Sequence, residues 1–410
     1  MPGRVGVIVG GLIGVLMGAC SREAAPAAHA QQPPRQQQRE TLSVAYDHAL
    51  TDTARIMAGM APEDTTRFAR VLGRPNWTTY HTEFDRNWSQ VSTQRFPLMR
   101  DWREREFKKI ADACDVLFYP FGGPDFLNAY LLYPGCNSYL LFGLEPVGSV
   151  PAIEKRPAER IDRALTEVRA SLSDMFVRDY FITKTMMDEL RTPEVDGTLP
   201  LMLAFLARLD GRVVSIEFDG PWNSNVTAGP AAMPAATRTA GPTGTGSKPS
   251  ARPGRVPGVT VRFVQGTSSR VQALTYIRVN MQDPDFGKKT GLISYLTGLG
   301  QVTTFIKSAS YLMHDDRFSR VRDMVLAQSR SLLQDDTGVP FRFLDKATWD
   351  ITLYGRYTPP IRDFNYGFQR NLDEAFKQPS AARDLPFSFG YHWREGTSSV
   401  ILAVRRAGSH

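Results

Sequence analysis

The stretch from Val116 to Gly148 constrains the fold more than any other part of the sequence. An apolar run, Val116–Tyr119, is followed by a glycine turn, a short helical pattern and a second apolar run, Ser138–Phe142. Two buried strands separated by a helix are typical of a βαβ unit, in which the strands run parallel. We therefore predict such a unit here, and its strand ends are the first place to look for a ligand.

The turn after the first apolar run carries the residues that most suggest a site. Gly122 and Gly123 precede Pro124 and Asp125, and Glu145 follows about 20 residues later, where dinucleotide-binding folds place a ribose-binding acid. Pro124 suits the first helical position and Gly123 the cap. No G-x-G-x-x-G is present, and Asp125 at a helix start would repel a phosphate, so a nucleotide site is disfavoured.

Two interpretations of this turn therefore remain: a structural turn in which Asp125 caps backbone amides, and a pocket for another ligand. No cofactor is expected, because nucleotide cofactors are scarce outside the cytoplasm and the N-terminal segment described below predicts export. The candidate ligand-binding residues of this stretch are Tyr119, Gly122, Gly123, Asp125 and Glu145.

A second polar group is predicted near the end of a helix spanning Leu292–Met313. Lys307, Tyr311 and His314 would lie on one helical face, and Ser310 would lie one turn before His314. A Ser–His pair can support nucleophilic chemistry if an acid orients the imidazole, whereas a helix junction held by polar contacts is the alternative. The candidate catalytic residues are Asp125, Ser310 and His314, and Lys307 and Tyr311 are further ligand-binding candidates.

The tripeptide Asp336-Thr337-Gly338 matches that of aspartic proteases, but we reject this function. Polar Gln334 and Asp335 occupy the place of the apolar strand that should lead in, and no second copy supplies a partner carboxylate. A helix over Phe318–Leu333 and a strand over Val339–Leu344 are predicted around it. The sequence has no H-E-x-x-H, Cys/His cluster or P-loop, so no metal site is predicted.

The N-terminus predicts export. Arg4 precedes the apolar run Val5–Met17, which is too short to cross a bilayer of about 30 Å. Leu16–Cys20 is similar to a bacterial lipobox, and an ordinary secretory signal is the alternative. We predict a lipoprotein signal peptide at residues 1–19 and acylation (palmitate) at Cys20. The protein would then be anchored facing the periplasm, at the outer rather than the inner membrane, or at the cell surface.

Two segments lack the apolar side chains needed to form a core. Residues 20–40 are predicted to be a disordered tether, and residues 221–258 are rich in Pro, Gly, Ala and Thr. Strands are predicted on both sides of the second segment, at Arg212–Phe218 and Val259–Val264. We therefore interpret 221–258 as a disordered insert within a single globular region, 41–406, rather than as a domain boundary.

The distribution of charge argues against a nucleic-acid partner. The formal net charge is +7, but Arg4 lies in the signal, the tether carries +1 and the insert +4, which leaves +1 for the folded body. A nearly neutral body lacks the basic surface that nucleic acids require. The expected partners are the membrane, through the lipid anchor, and an envelope polymer or protein, although a passive insert is the alternative to a polymer-binding one.

The cysteines fit an exported protein. With Cys20 acylated, Cys114 and Cys136 remain, and each lies just before a predicted strand. Neighbouring parallel strands have backbones about 4.8 Å apart, so both cysteines would lie at one edge of the sheet. We predict a Cys114–Cys136 disulfide, and two buried free thiols are the alternative.

Long phrases of the sequence resemble those of an uncharacterised family of exported bacterial proteins and lipoproteins. They are FYPFGGPDFLNAYLLYPG, YLLFGLEPVG, IKSASYLMHDDRFSRVRDMVLAQS, LLQDDTGVPFRF and LYGRYTPPI, which lie between about 115 and 405 outside the insert. The family has no assigned activity, so the resemblance implies export and gives no residue a role.

Together these patterns predict an α+β fold with a mixed β-sheet that contains one βαβ unit, is covered by helices and carries a disordered insert. Residues 46–112 would form a helical cover, and Pro386–Trp393 and Ser398–Val404 a hairpin. We expect a lipid-anchored envelope protein that binds a ligand or partner or has a structural role. The alternative is an extracytoplasmic enzyme, for example a hydrolase, with a cleft between the Gly122–Asp125 turn and the Lys307–His314 patch.

Acylation of Cys20 can be tested directly. We expect the full chain, expressed in a Gram-negative host fed radiolabelled palmitate, to carry the label and to fractionate with membranes. Cys20→Ala should lose the label, whereas Cys114→Ala, which leaves the lipobox intact, should keep it. Label that persists in Cys20→Ala would contradict the prediction.

Overall fold

The computed structural model describes residues 44–178, 196–224, 255–380, 382–392 and 397–408. The predicted signal peptide, Cys20, the tether and most of the insert lie outside these residues. The described strands form one ten-stranded sheet in the order β3-β4-β5-β2-β1-β6-β7-β10-β8-β9. The strands are β1 Val116–Tyr119, β2 Ser138–Gly143, β3 Gly211–Phe218, β4 Gly258–Gln265, β5 Val271–Arg278, β6 Val302–Ile306, β7 Ser329–Gln334, β8 Trp349–Gly355, β9 Ala382–Arg383 and β10 Ser399–Arg405.

The centre of the sheet is parallel and its flanks are mostly antiparallel. Strands β5, β2, β1, β6 and β7 all run in one direction. All residues of β1 and β6 are buried, as expected for parallel strands covered on both faces. Strands β3 and β4 extend one side and β10 and β8 the other, each antiparallel to its inner neighbour. The predicted α+β fold with a mixed, helix-covered sheet and the β1–β2 βαβ unit is thus confirmed.

Helices cover both faces of this sheet. Helices α1 to α8 pack on the face that includes Leu117 and Tyr119 of β1, and α9 to α12 on the face that includes Val116 and Phe118. None of the described helices is both long and apolar enough to cross a membrane. The helices are α1 His48–Met57, α2 Ala69–Leu72, α3 Pro75–Gln94, α4 Phe96–Glu106, α5 Lys108–Asp112, α6 Phe126–Leu132, α7 Ala158–Arg178, α8 Leu199–Arg208, α9 Asp283–Phe286, α10 Thr290–Gly298, α11 Ser319–Gln328 and α12 Arg370–Phe376.

The chain changes direction in the sheet between the neighbouring strands β1 and β6. From β1 it crosses through α6 to β2 on one side, and from β6 it crosses through α11 to β7 on the other. Right-handed crossovers in opposite directions place their helices on opposite faces, and Phe126 of α6 and Val321 of α11 indeed lie in different cores. The loops after β1 and β6 therefore diverge, which is the arrangement that leaves a crevice at the carboxyl edge.

Two helices were predicted to be longer than they are, and strands β6 and β7 were therefore not predicted. The predicted helix Leu292–Met313 ends at Gly298, and Gly300, with φ +68°, turns the chain into β6. The predicted helix Phe318–Leu333 ends at Gln328, where β7 begins. In Val302–Ile306 the β-branched side chains favour a strand, but an apolar run of five residues also fits one face of a helix.

The C-terminal predictions also need correction. A strand was predicted at Val339–Leu344, but Phe341–Phe343 form a 3-10 turn there. The predicted hairpin of the last two strands is wrong, because β10 pairs with β7 and β8 and not with residues 386–392. Strand β10 thus completes the sheet beside β7, which places residues 386–392 over the carboxyl edge.

The two ends of the insert meet at one point. Strands β3 and β4 are antiparallel neighbours, as expected for a segment inserted between adjacent strands. Trp222, which is buried, donates from Nε1 to the carbonyl of Val256 at 2.9 Å, and the Asn223 amide bonds both backbone groups of Val256. The insert therefore leaves and rejoins the sheet without altering the pairing of β3 with β4.

The cysteines flanking the β1–β2 unit lie at disulfide distance. Cys114 and Cys136 have Cα atoms 4.6 Å apart and close a loop with a sequence separation of 22 residues. Both are buried, and β1 pairs with β2 from Val116 opposite Ser138. The predicted parallel register therefore brings the two thiols together.

We expect a thiol titration of unreduced protein beginning at residue 21 to detect no free thiol. Cys114→Ala/Cys136→Ala should lose about 3 kcal/mol of unfolding free energy in urea, because a loop of this length loses about that much closure entropy. The Cys114→Ala single variant, which exposes one thiol, serves as the control for the titration. Two free thiols in the unsubstituted protein would exclude the disulfide.

Candidate functional site

Asp125 caps helix α6 and anchors the turn after β1. Its Oδ1 accepts hydrogen bonds from the backbone N–H of Asn128 at 3.1 Å and from the Asn128 side chain at 3.0 Å. The helix therefore begins at Phe126 with Asp125 as its N-cap, and the expectation that Gly123 would cap a helix starting at Pro124 was wrong. The reason is that a side-chain acceptor satisfies an amide, which glycine cannot do.

The same carboxylate binds Lys307, which comes directly after β6. Lys307 Nζ lies 3.0 Å from Asp125 Oδ2, and the two side chains are 0% and 4% exposed. Tyr119, the last residue of β1, donates its hydroxyl to the same oxygen at 3.1 Å. The structure thus joins three of the predicted site residues at the point where the loops after β1 and β6 diverge.

Glu145 lies next to this group, at the carboxyl edge of β2. It is 2% exposed, and Tyr276 of β5 donates its hydroxyl to Glu145 Oε2 at 3.1 Å. A Cβ built on Gly143 would lie 2.7 Å from the Tyr276 hydroxyl and closer still to Glu145 Oε2, whereas one on Gly123 would be in ordinary contact with Oε2 at 3.6 Å. Glycine at position 143 therefore lets the glutamate approach the backbone closely.

The loop after β6 adopts a conformation that is unusual for its residues. Ser308, Ser310 and Tyr311 have φ of +53°, +53° and +56°, and none is glycine. Each such residue costs of order 1–3 kcal/mol and persists only where surrounding contacts impose it. Lys307, Tyr311 and His314 therefore do not share a helical face as predicted. Lys307 contacts Asp125, whereas Tyr311 points to the end of β7.

Two buried carboxylates at the end of β7 hold this loop. Asp335 Oδ2 accepts from the backbone N–H of Ser308 at 2.8 Å, and its Oδ1 accepts from Thr337 N at 3.0 Å. Asp336 Oδ2 accepts from the Tyr311 hydroxyl at 2.5 Å. In the sequence, Asp336 stands out only as part of the rejected protease tripeptide, because the predicted helix Phe318–Leu333 covers the residues of β7.

Burial shifts the protonation of these groups. It raises the pKa of Asp335 to about 7, and the neighbouring Asp336 carboxylate adds to the rise. Burial also raises the pKa of Asp336, although the Tyr311 hydroxyl opposes this by bonding the charged form. Burial raises the pKa of Tyr311 as well, and Asp336 adds to it. Asp335 is thus a carboxyl group that can gain or lose a proton near neutral pH.

The predicted Ser310–His314 pair does not form. Ser310 Oγ bonds the hydroxyl of Tyr391 at 2.8 Å, and the imidazole of His314 packs edge-on against the Tyr311 ring, with centroids 5.1 Å apart. Burial lowers the pKa of His314 to about 4, and Arg342 adds to the shift, so this imidazole is neutral at physiological pH. His314 Nε2 has no hydrogen-bond partner among the described residues.

Residues Phe387–His392, which we call the strap, close over the carboxyl edge. Tyr391 donates its hydroxyl to the carbonyl of Ser308 at 2.9 Å, and the ring of Phe389 lies 5.7 Å from Lys307 Nζ. Gly390 has φ +68°, and a Cβ there would lie 2.5 Å from Asp335 Oδ2 and 3.6 Å from Ser308 Oγ. Nothing in the sequence indicates that the strap lies over the carboxyl edge, because its position depends on the pairing of β10 with β7 and β8.

Comparisons of the chain with protein-family models, with curated proteins and with solved structures found no match. The described residues contain no group of three or more His, Cys, Asp or Glu side chains that could hold a metal ion. The geometry of the carboxyl edge is therefore the basis for its function.

The raised pKa of Asp335 makes a prediction for stability. Its folded-state pKa of about 7 exceeds the usual 3.8, so between these pH values the folded protein retains a proton that the unfolded chain loses. The stability that this group contributes therefore falls as the pH rises from about 3.8 to about 7. In urea unfolding at pH 5, 6, 7 and 8, the unfolding free energy of wild type minus that of Asp335→Asn should decrease up to about pH 7 and then level off.

His314→Gln supplies the control with the opposite sign. Because the pKa of His314 is lowered to about 4, folding loses stability from this group as pH falls below about 6.5. The wild-type minus His314→Gln difference should therefore increase with pH. A wild-type minus Asp335→Asn difference that does not change with pH would contradict the assignment.

Proposed function

We propose that this chain is a lipid-anchored protein of the bacterial cell envelope that binds a polar, non-anionic small molecule at the carboxyl edge between β1 and β6. The observation that carries the ligand site is the contact of Tyr119, Asp125 and Lys307 at the position where the loops after these strands diverge. In open sheets with parallel centres, ligands bind in the crevice at such a point.

Export is supported by the sequence and is compatible with the cysteines. The lipobox-like segment ending at Cys20 is the basis for the anchor. Cys114 and Cys136 lie at disulfide distance, and disulfides persist mainly outside the reducing cytoplasm. The resemblance to exported bacterial lipoproteins points in the same direction.

The charges at the edge favour one class of ligand. Asp125, Glu145, Asp335 and Asp336 lie there and are buried, and Lys307 is already paired with Asp125. A phosphate or carboxylate ligand would meet these carboxylates while Lys307 stays paired with Asp125, whereas hydroxyl, amide or ammonium groups find acceptors. We therefore infer an uncharged or cationic polar ligand.

A purely structural network is the competing explanation, and the loop geometry argues against it. A buried ion pair is by itself weak evidence for stability, because an apolar pair of similar volume often does as well. Ser308, Ser310 and Tyr311 add backbone strain that a structural loop would avoid by placing glycine at these positions. Strain at the end of a central strand is typical of functional sites.

The test uses thermal unfolding of protein beginning at residue 21 with a defined panel of sugars, amino sugars, D- and L-amino acids, polyamines and soluble peptidoglycan fragments. We expect at least one class to raise the Tm of wild type, since a ligand at 100 times its Kd adds about 2.7 kcal/mol. The rise should disappear in Asp125→Asn/Lys307→Met, which removes both charges and keeps the volumes similar.

The matched control is Arg74→Met/Asp162→Asn, which removes an ion pair between α3 and α7 whose side chains are 32% and 22% exposed. This variant should keep the ligand-dependent rise in Tm. The single variants Lys307→Met and Asp125→Asn should each lose about 3–5 kcal/mol of stability, because each leaves one buried charge alone. An equal rise in Tm in both double variants, or none in wild type, would refute the proposed site.

A further inference from the structure

Ser308 occupies a position suited to a nucleophile. It lies two residues beyond the end of β6, a central parallel strand, in a turn with φ +53°. Hydrolytic enzymes present their nucleophile on such strained turns at the carboxyl end of a sheet strand. The sequence here, Lys307-Ser308-Ala309-Ser310, lacks flanking glycines, so other contacts must hold the strain.

Those contacts surround Ser308 on both sides. Its N–H donates to Asp335 Oδ2 at 2.8 Å, and its carbonyl accepts from the Tyr391 hydroxyl at 2.9 Å. The following N–H, of Ala309, donates to Thr337 Oγ1 at 2.7 Å. The backbone is thus fixed by partners from β7 and from the strap, while the hydroxyl is left out of this network.

The Ser308 hydroxyl is buried and has no hydrogen-bond partner among the described residues. An unsatisfied buried hydroxyl costs about 1–3 kcal/mol, so the fold retains it at a penalty. Asp335 lies near it, because a Cβ built on Gly390 would lie 2.5 Å from Asp335 Oδ2 and 3.6 Å from Ser308 Oγ. Glycine at position 390 therefore lets the strap backbone pack against both the hydroxyl and the carboxylate, which are neighbours.

We propose that Ser308 is the nucleophile and Asp335 the general base of a hydrolytic site for uncharged acyl compounds, carboxylic esters or amides. This inference rests on the proposed ligand site and names its chemistry. Asp335 is the carboxylate beside the Ser308 hydroxyl, and burial raises its pKa to about 7, which suits a general base near neutral pH. No acceptor for the backbone N–H groups of Ser310 and Tyr311 is found among the described residues, and this proposal assigns these two groups to the oxyanion.

The reaction balances with water as the only co-reactant. Ser308 Oγ forms a bond to the acyl carbon, the carbonyl π electrons move to its oxygen, and the Oγ proton passes to Asp335. When the carbonyl re-forms, the bond to the leaving alcohol or amine breaks and that group takes the proton from Asp335. Water then attacks the acyl carbon and gives its proton to Asp335. As the carbonyl re-forms, the bond from the acyl carbon to Ser308 Oγ breaks, Oγ takes the proton back from Asp335, and the carboxylic acid leaves.

The carboxylates at this edge favour acyl over phosphoryl substrates. Asp335, Asp336 and Asp125 would repel a phosphate monoester or diester, whereas an ester or amide is neutral. Access requires the strap to move, because Tyr391 and Gly390 cover Ser308. The substrate must therefore enter when the two hydroxyl contacts of Tyr391 are broken.

The test is covalent labelling of protein beginning at residue 21 with a biotinylated fluorophosphonate, followed by mass spectrometry of tryptic peptides. We expect phosphonylation at Ser308 with loss of fluoride, and none in Ser308→Ala. Asp335→Asn should slow labelling by roughly 10²-fold or more, the usual contribution of a general base. Tyr391→Phe, which keeps the ring and removes both hydroxyl contacts, should label at least several-fold faster.

Ser89→Ala, on the exposed surface of α3, is the matched control and should label like wild type. Near-ultraviolet circular dichroism and the Tm of each variant identify any variant that fails to fold. The identity of the residue labelled in wild type is read from the mass spectrum and does not depend on any variant. Absence of label at Ser308 in both wild type and Tyr391→Phe overturns this inference. A ligand-dependent rise in Tm in that same protein would leave the proposed binding site standing.

Discussion

The buried ion pair between Asp125 and Lys307 is the interaction on which the carboxyl edge depends. It joins the loop after β1 to the residue after β6, and the two side chains are 4% and 0% exposed. Asp125 also accepts from Tyr119 and Asn128, and Arg95, between α3 and α4, donates to Asn128 at 3.0 Å. The network therefore connects two central strands to the helical cover.

This pair also explains how the strained loop can begin where it does. Because Lys307 is held by Asp125, the direction of the chain leaving β6 is fixed one residue before Ser308. Asp335 and Asp336 then fix Ser308 and Tyr311 from the neighbouring strand β7. Loops from three adjacent strands, β1, β6 and β7, thus determine one short segment, and contacts from several elements are what a strained backbone requires.

Local signals in the sequence predicted the parts of the fold that local physics decides. The glycine turn between two apolar runs identified the β1–β2 unit, and the positions of Cys114 and Cys136 before those runs identified the pair at disulfide distance. Asp125 was correctly considered as a capping residue, and it is the N-cap of the helix that begins at Phe126. These features depend on neighbours that are close in the chain.

The errors fall where distant contacts override local patterns. Ser329–Gln334 has little apolar character at its ends, yet all but Arg330 are buried, because β6 and β10 pair with it on both sides. Strands β6 and β7 were not predicted. Ser310 and His314 were therefore assigned to a helix that does not form, and Asp335 was not recognised as a site residue. The Asp-Asp-Thr-Gly sequence at 335–338, which is rich in turn-forming residues, could have indicated the end of a strand, but nothing local indicates the strap.

The burial of the site and its proposed use are compatible if the strap opens. Of the strap's contacts to the strained loop, two involve the Tyr391 hydroxyl, and net hydrogen bonds of this kind contribute about 0.5–1.5 kcal/mol each. A movement that frees Tyr391 alone, with Phe387 and Phe389 kept in the core, would cost about this much and would leave a minor open population. A ligand that binds only the open form then has its apparent affinity reduced by that fraction. A closed ground state would also exclude water from Asp335 and so maintain the burial that raises its pKa. In the proposed mechanism the strap would therefore set both the access to this edge and the protonation of Asp335.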